Sequence, residues 1–181
     1  MKIFHSKIKG CVIIEPRVFG DDRGFFLETF QAARYKQEAG IDLPFVQDNH
    51  SRSARGVLRG LHFQKTKPQG KLVRVVRGEV YDVALDIRKG SPTFGEWEGV
   101  ILSEDNKKQF WVPPGFAHGF QVLSASADFV YKTTEHWFPE NERCIIWNDK
   151  DLSINWDLEN IPILSQEDAK GNNLKHAEYF K

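Results

Sequence analysis

The chain has 181 residues, and its 25 lysines and arginines balance its 25 aspartates and glutamates, so the formal net charge is zero. This length favours one domain spanning residues 1–181, and the balanced charge argues against a nucleic acid or an anionic membrane as partner. No apolar run approaches the roughly 20 residues of a membrane span, and residues 1–7 are too polar for a signal-peptide core, so we expect a cytoplasmic protein.

The first part of the chain alternates extended segments with turns. Residues 19–24 are rich in types that tolerate unusual backbone angles and predict a turn. Residues 31–39 predict a helix that ends at Gly40, because glycine is common where helices stop. The predicted strands here are residues 12–14, 25–30 and 45–51.

The remainder of the chain has the rhythm of short strands. A forced turn is predicted at residues 113–115, which read Pro-Pro-Gly. Ser165 and Asp168 form a pattern like a capping box, which predicts short C-terminal helices. The predicted strands are residues 72–77, 80–88, 96–102, 109–112, 116–123 and 129–134. This spacing favours an all-β sandwich or barrel, and a closed jelly roll fits best.

Cationic and titratable groups concentrate in residues 58–74. His62 lies in an extended apolar setting, Arg59 precedes it by three residues, and Lys71 begins a β-branched run. Such a combination suits a site that holds an anion and moves a proton near neutral pH. A histidine that is merely packed within a strand remains the alternative interpretation.

Three further side chains in the strand region need an explanation. Asp82 interrupts an apolar run, where a buried carboxylate requires a partner. We therefore hypothesise an Asp82–His118 pair across the barrel, and a solvent-facing aspartate is the alternative. Tyr131 also lies in a predicted strand, where most tyrosines are packed with the hydroxyl at the rim.

A metal site is the obvious possibility in a jelly roll that carries histidines. Many metal-binding cupins have two histidines one residue apart, but here His62 is followed two residues later by Gln64. His118, with Gln64 or Glu79, could complete only a poor site, so we expect no functional metal. Two cysteines match no metal or redox spacing and are expected to be free thiols: Cys11 and Cys144.

Several segments resemble the signature blocks of the dTDP-4-dehydrorhamnose 3,5-epimerase family. The strongest are RGVLRGLHFQ (55–64), PQGKLVR (68–74) and WVPPGFAHGF (111–120). The likeness continues at residues 22–28, 131–134, 139–143 and 164–169. It therefore runs nearly end to end, and it implies a cupin-type jelly-roll barrel that acts as a homodimer without a cofactor.

The resemblance also implies a reaction. The family epimerises C3 and C5 of dTDP-4-dehydro-6-deoxy-D-glucose to give dTDP-4-dehydro-L-rhamnose, in dTDP-L-rhamnose biosynthesis. His62 matches the base, Asp168 the carboxylate that orients it, and Tyr131 the acid on the opposite face of the sugar. Lys71 matches the residue near the keto oxygen, where a cation stabilises the developing enolate. Asp168 could instead only cap a helix.

The family likewise implies how the nucleotide is held. Arg23 and Arg59 resemble the family's diphosphate-binding arginines, and Phe26 or Trp137 could stack on thymine. In the family the early strand crosses to a twofold partner. The family's lysine before the late aspartate is replaced here by Glu167, with Lys170 following, which weakens that one contact. The expected substrate-binding residues are Arg23, Phe26, Glu28, Gln47, Asp48, Asn49, Arg59, His118 and Glu142.

Other functions stay open at the level of sequence. A relative acting at one carbon, or a keto-isomerase, would share the base and the nucleotide contacts. A metal-dependent cupin enzyme is a second class, and a non-catalytic jelly roll that binds a sugar nucleotide is a third. An acid at Tyr131 argues against the third class, since binding alone does not need one.

Overall fold

The computed structural model describes residues 1–158 and 160–178, which form two antiparallel sheets, a separate hairpin, one α-helix and three 3₁₀ helices. The elements in chain order are β1 (Lys2–His5), β2 (Val12–Glu15), β3 (Val18–Asp21), β4 (Gly24–Leu27), α1 (Ala32–Ala39), β5 (Gln47–Ala54), β6 (Leu58–Gln64), β7 (Lys71–Arg77), β8 (Glu79–Asp86), β9 (Trp97–Ser103), β10 (Gln109–Val112), β11 (Phe116–Val122), β12 (Ser126–Thr133) and β13 (Glu142–Cys144). The 3₁₀ helices are Pro139–Asn141, Asp168–Lys170 and Leu174–His176.

Two sheets enclose the main core. One has the order β1-β2-β10-β7-β12-β5 and the other the order β13-β6-β11-β8-β9. Inward-facing residues of both sheets pack together, and the rings of Phe120 and Phe129 stack across the interface with centroids 4.2 Å apart. The predicted all-β jelly-roll class is confirmed. No helix in the described part of the chain is long and apolar enough to span a membrane.

Each sheet is covered on its outer face. Helix α1 packs Tyr35 and Ala39 against the six-stranded sheet, while residues of the C-terminal segment, including Trp156, cover the five-stranded sheet. The helix begins where Gln31 caps the backbone N–H of Arg34 and ends at Gly40 in the left-handed conformation, with φ of 69°. The predicted helix therefore agrees with the observed one to within a residue.

Other predicted boundaries shift for identifiable reasons. The strand predicted at 25–30 ends at Leu27, because the chain turns there towards α1. The strand predicted at 45–51 is β5, which begins at Gln47 and continues to Ala54 because it pairs along its whole length with β12. The capping box is present, since Ser165 and Asp168 bond each other reciprocally, but it leads only into 3₁₀ turns.

The pairing of β6 with β11 positions the two central histidines. His62 lies directly opposite His118, and the register then shifts between His118 and Phe120. Gly119 permits this close approach, because a Cβ there would lie 2.5 Å from the carbonyl oxygen of Arg59. Both histidines consequently belong to one inner surface of the barrel.

Candidate active site

The centre of the site is a contact between His62 on β6 and Asp168 in the C-terminal segment. His62 Nε2 lies 2.8 Å from Asp168 Oδ1, and the Asp168 side chain is only 3 % exposed. The same Oδ1 accepts the backbone N–H of Gly60 at 2.9 Å, and Oδ2 accepts the Ser165 hydroxyl at 2.7 Å. Asp168 therefore belongs to a capping box and also contacts His62, so the two interpretations of this residue are compatible.

These contacts keep Asp168 ionised. Burial alone raises the pKa of its carboxyl, but the His62 ring, the Gly60 N–H and the Ser165 hydroxyl together lower the pKa to about 2. The contact with His62 is at ion-pair distance, although no acceptor among the described residues lies in line with Nε2–H. A fixed carboxylate on this side leaves Nδ1 as the ring nitrogen that can accept a proton.

A second histidine–carboxylate pair lies deeper in the barrel. His118 Nε2 lies 3.0 Å from Asp82 Oδ1 and 2.9 Å from Oδ2. Asp82 is fully buried and the His118 ring stacks on Phe129. The predicted Asp82–His118 pair is confirmed. His118 gives the buried Asp82 carboxylate the polar partner that its apolar neighbours on the strand cannot provide.

Lys71 and Tyr131 reach the same inner surface from adjacent strands. Tyr131 on β12 is paired with Val73 on β7, two residues after Lys71, so all three side chains share one face. Burial lowers the pKa of Lys71, while the charges of Glu142 and Asp82 raise it. Burial and Glu142 raise the pKa of Tyr131, which keeps the phenol protonated.

Glu142 links His62 to the loop that carries Trp137. Its Oε1 lies 3.7 Å from His62 Nδ1, and its Oε2 accepts the indole N–H of Trp137 at 2.8 Å. The backbone N–H of Trp137 donates to Gln47 Oε1 at 3.1 Å. The backbone N–H of Phe138 donates to Gln64 Oε1 at 2.6 Å, so the Gln64 amide stabilises this loop.

Several predicted binding residues line the inner face of β5 and β6. Gln47 donates to Asn49 at 2.9 Å, and Arg59 donates to Ser53 at 3.1 Å. Asp48 alternates to the outer face and pairs with the ammonium of Lys132. The structure therefore brings Gln47, Asn49 and Arg59 towards the site but directs the Asp48 side chain away.

The other predicted binding residues lie outside this cavity within the single chain. Arg23 extends from the β3–β4 hairpin with its side chain 89 % exposed and pairs with Asp21. Phe26 in the same hairpin is 70 % exposed. Glu28 pairs with Arg34 near helix α1 at 2.8 Å. These three residues do not meet His62 in one protomer.

One neighbour of His62 was missed by sequence reasoning. Cys144 lies opposite His62 in the β13–β6 register, and ligand atoms of His62, Cys144 and Asp168 fall within 4.8 Å of one another. Burial and nearby carboxylates raise the pKa of the Cys144 thiol to about 12, so the thiol is protonated near neutral pH. Since Asp168 is already occupied by N–H and O–H donors, the group fits a histidine–carboxylate pair better than a metal centre.

Comparison with known proteins agrees with this geometry. The family model described as dTDP-4-dehydrorhamnose 3,5-epimerase matches residues 5–176. The chain is 56 % identical over 180 residues to the dTDP-4-dehydrorhamnose 3,5-epimerase of Pseudomonas aeruginosa, covering 99 % of both chains.

Two solved structures of nucleotide-sugar epimerases are also similar to this chain. The dTDP-6-deoxy-D-glucose-3,5-epimerase of Legionella pneumophila, solved in complex with dTDP-4-keto-L-rhamnose, superposes with a TM-score of 0.95 at 56 % identity and covers 97 % of this chain and 93 % of that one. A 3′-monoepimerase from Streptomyces bikiniensis, in complex with dTDP-quinovose, superposes with a TM-score of 0.90 at 35 % identity, covering 96 % and 88 %.

The lowered pKa of Asp168 predicts a pH-dependent contribution to stability. Because the folded state favours the ionised carboxyl, its contribution is complete above about pH 4 and is lost as the pH falls towards about 2. Asp168→Asn should therefore be less stable than wild type near neutral pH, with the difference shrinking in acid. Urea unfolding of both proteins across this range measures the difference.

An exposed aspartate provides the control for that measurement. Asp105→Asn, in the loop between β9 and β10, should follow wild type at every pH. A stability difference between wild type and Asp168→Asn that stays constant from neutral to acid pH would contradict the assignment.

Proposed function

The chain belongs to the dTDP-4-dehydrorhamnose 3,5-epimerase family, and we propose that it inverts C3 and C5 of dTDP-4-dehydro-6-deoxy-D-glucose to give dTDP-4-dehydro-L-rhamnose, for dTDP-L-rhamnose synthesis. The observation that carries the mechanism is the 2.8 Å His62–Asp168 contact, on the inner surface that also holds Lys71, His118 and Tyr131. The relatives' names and the Legionella pneumophila complex support the substrate.

The first chemical step is removal of a proton next to the ketone. His62 Nδ1 accepts the proton, and the bonding electrons move to the keto oxygen as an enolate. Asp168 holds the ring from the other side and stabilises the imidazolium that forms. The low pKa of Asp168 means that it remains a carboxylate throughout.

The enolate needs compensating charge. Lys71 and the His118 ring, which is fixed by two contacts to Asp82, are the groups on this surface that suit the role. Stabilisation that is stronger for the enolate than for the ketone lowers the barrier. No step in this scheme uses a cofactor or a metal.

Inversion follows when the new proton arrives from the opposite face of the ring. Tyr131 supplies it from β12, which lies in the sheet facing β6. Its raised pKa keeps the phenol protonated until the enolate carbon accepts the proton. A binding protein would not require an acid and a base from opposing sheets.

The nucleotide is proposed to lie over the loop that carries Trp137. Trp137 is 54 % exposed and is oriented by Glu142 and Gln47, which leaves its ring free to stack on thymine. Asn49 and Arg59 are placed to hold the diphosphate from the inner face. Inversion at one carbon is the second candidate, because the monoepimerase of Streptomyces bikiniensis shares the fold closely.

We also propose a homodimer in which the β3–β4 hairpin serves the partner's site. The hairpin exposes Phe19, Phe25 and Phe26, and the hydrogen bonds and ion pair of its Arg23 side chain among the described residues are to Asp21. An isologous interface would cover this apolar surface twice by symmetry. Each protomer is then one epimerase domain, and the reaction is cytoplasmic because a nucleotide diphosphate is too charged to cross a bilayer unaided.

Removing the acid or the base should abolish turnover but preserve binding. Tyr131→Phe and His62→Asn are each expected to lower kcat by about 10²-fold or more, as measured by NMR of the sugar product. Their affinity for dTDP, measured by calorimetry, should change by less than about threefold because neither group contacts the diphosphate.

Tyr81→Phe is the matched control, because Tyr81 packs against Trp156 on the outer face of the five-stranded sheet. It should retain wild-type activity. Wild-type protein that binds dTDP but never turns over the sugar would favour the non-catalytic binding class.

The shared site predicts complementation between two inactive variants. Neither Arg23→Ala nor His62→Asn should be active alone. After unfolding and refolding together, random pairing should restore about one quarter of wild-type activity, because half of the dimers contain one intact site. A mixture no more active than its parents would show that Arg23 acts within its own protomer.

A further inference from the structure

A second carboxylate, besides Asp168, lies within ion-pair distance of His62. Glu142 opens β13 and lies opposite Gln64, which makes it a diagonal neighbour of His62 in the antiparallel register. Its Oε2 is held by the Trp137 indole at 2.8 Å, while its Oε1 lies 3.7 Å from His62 Nδ1. The two carboxylates therefore flank the two nitrogens of one ring.

Double inversion poses a problem of proton supply that the base and acid alone do not solve. After one inversion His62 carries one extra proton and Tyr131 lacks one. The second carbon can react only after His62 has lost its proton and Tyr131 has regained one. A second inversion without release of the sugar therefore requires both groups to return to their starting state while the sugar is bound.

Asp168 is poorly suited to remove that proton. Its pKa is about 2, its side chain is 3 % exposed, and its oxygens accept bonds from Gly60 and Ser165. Glu142 differs in position and exposure: its side chain is 20 % exposed, and Oε1 faces Nδ1, the nitrogen proposed to receive the substrate proton.

We infer that Glu142 is the proton-transfer residue that returns His62 to its neutral state between the two inversions, an inference that rests on the proposed function. The imidazolium Nδ1–H gives its proton to the Glu142 carboxylate, and the carboxyl then releases a proton to water. Water supplies one proton to the Tyr131 phenolate, so the cycle gains and loses none. A side-chain movement of about 0.7 Å brings Oε1 within hydrogen-bonding distance of Nδ1.

Glu142→Gln tests this role directly. The amide oxygen can still accept the Trp137 N–H, but the amide cannot take a proton near neutral pH. In single turnovers with enzyme in excess, followed by NMR, the rates of the two inversions are compared within the same variant, so that an effect of Glu142 on binding applies to both. The second inversion should slow relative to the first by about tenfold or more, so the singly inverted sugar accumulates.

Chemical rescue separates proton transfer from a structural effect. Added formate should restore the second inversion in Glu142→Gln, because a small carboxylate can accept the proton that Glu142 no longer takes. Glu140→Gln, at an exposed position in the preceding 3₁₀ turn, is the matched control and should behave as wild type.

Two results would overturn the inference. One is doubly inverted product formed by Glu142→Gln at the wild-type rate. The other is an equal slowing of both inversions together with weakened dTDP binding and no rescue by formate, which would assign Glu142 to binding alone. Wild-type protein that inverts neither carbon would instead contradict the proposed reaction, and this inference with it.

Discussion

The contact between His62 Nε2 and Asp168 Oδ1 joins the central strand β6 to the far C-terminal segment at 2.8 Å. It depends on Gly60 and Ser165, whose donors hold the carboxylate in place and ionised. With Nε2 engaged, Nδ1 is left to face Glu142 and the cavity. In the proposed reaction, this one local constraint selects Nδ1 as the base and sets the side from which the sugar approaches.

The buried charged groups on the inner surface of the barrel have charged or polar partners. A buried carboxylate or ammonium is costly unless a partner compensates it. Asp82 is compensated by His118, and the burial of Lys71 is opposed by the charges of Glu142 and Asp82. In the proposed reaction, an enolate beside Lys71 develops negative charge next to a side chain that is already in position, so little reorganisation is needed in the transition state.

Sequence alone predicted the elements whose signals are local. The end of helix α1 followed from its terminal glycine, and the Asp82–His118 pair followed from a carboxylate in an apolar run. Strand β5 was misjudged because its polar residues line the site on one face and meet solvent on the other. The C-terminal helices are single 3₁₀ turns, and Gly171 between them lies against the backbone of Ile146, a tertiary contact invisible to a capping rule.

The short strand β13 was also missed, and with it the position of Cys144 beside His62. Three residues of intermediate burial carry no periodicity, and only their pairing with β6 defines them as a strand. The His62–Asp168 relation had no local signal either and came from resemblance to the family. Active-site geometry in this fold depends on pairings between distant segments, which propensity does not encode.

The most direct test of the account is deuterium exchange into the substrate. The protein is incubated with dTDP-4-keto-6-deoxyglucose in deuterium oxide, and the sugar protons are followed by NMR. The account predicts deuterium at both C3 and C5, and loss of both signals of exchange in His62→Ala. Absence of exchange at both carbons, or undiminished exchange in His62→Ala, would contradict proton transfer by the His62–Asp168 pair, and exchange at one carbon alone would favour the single inversion.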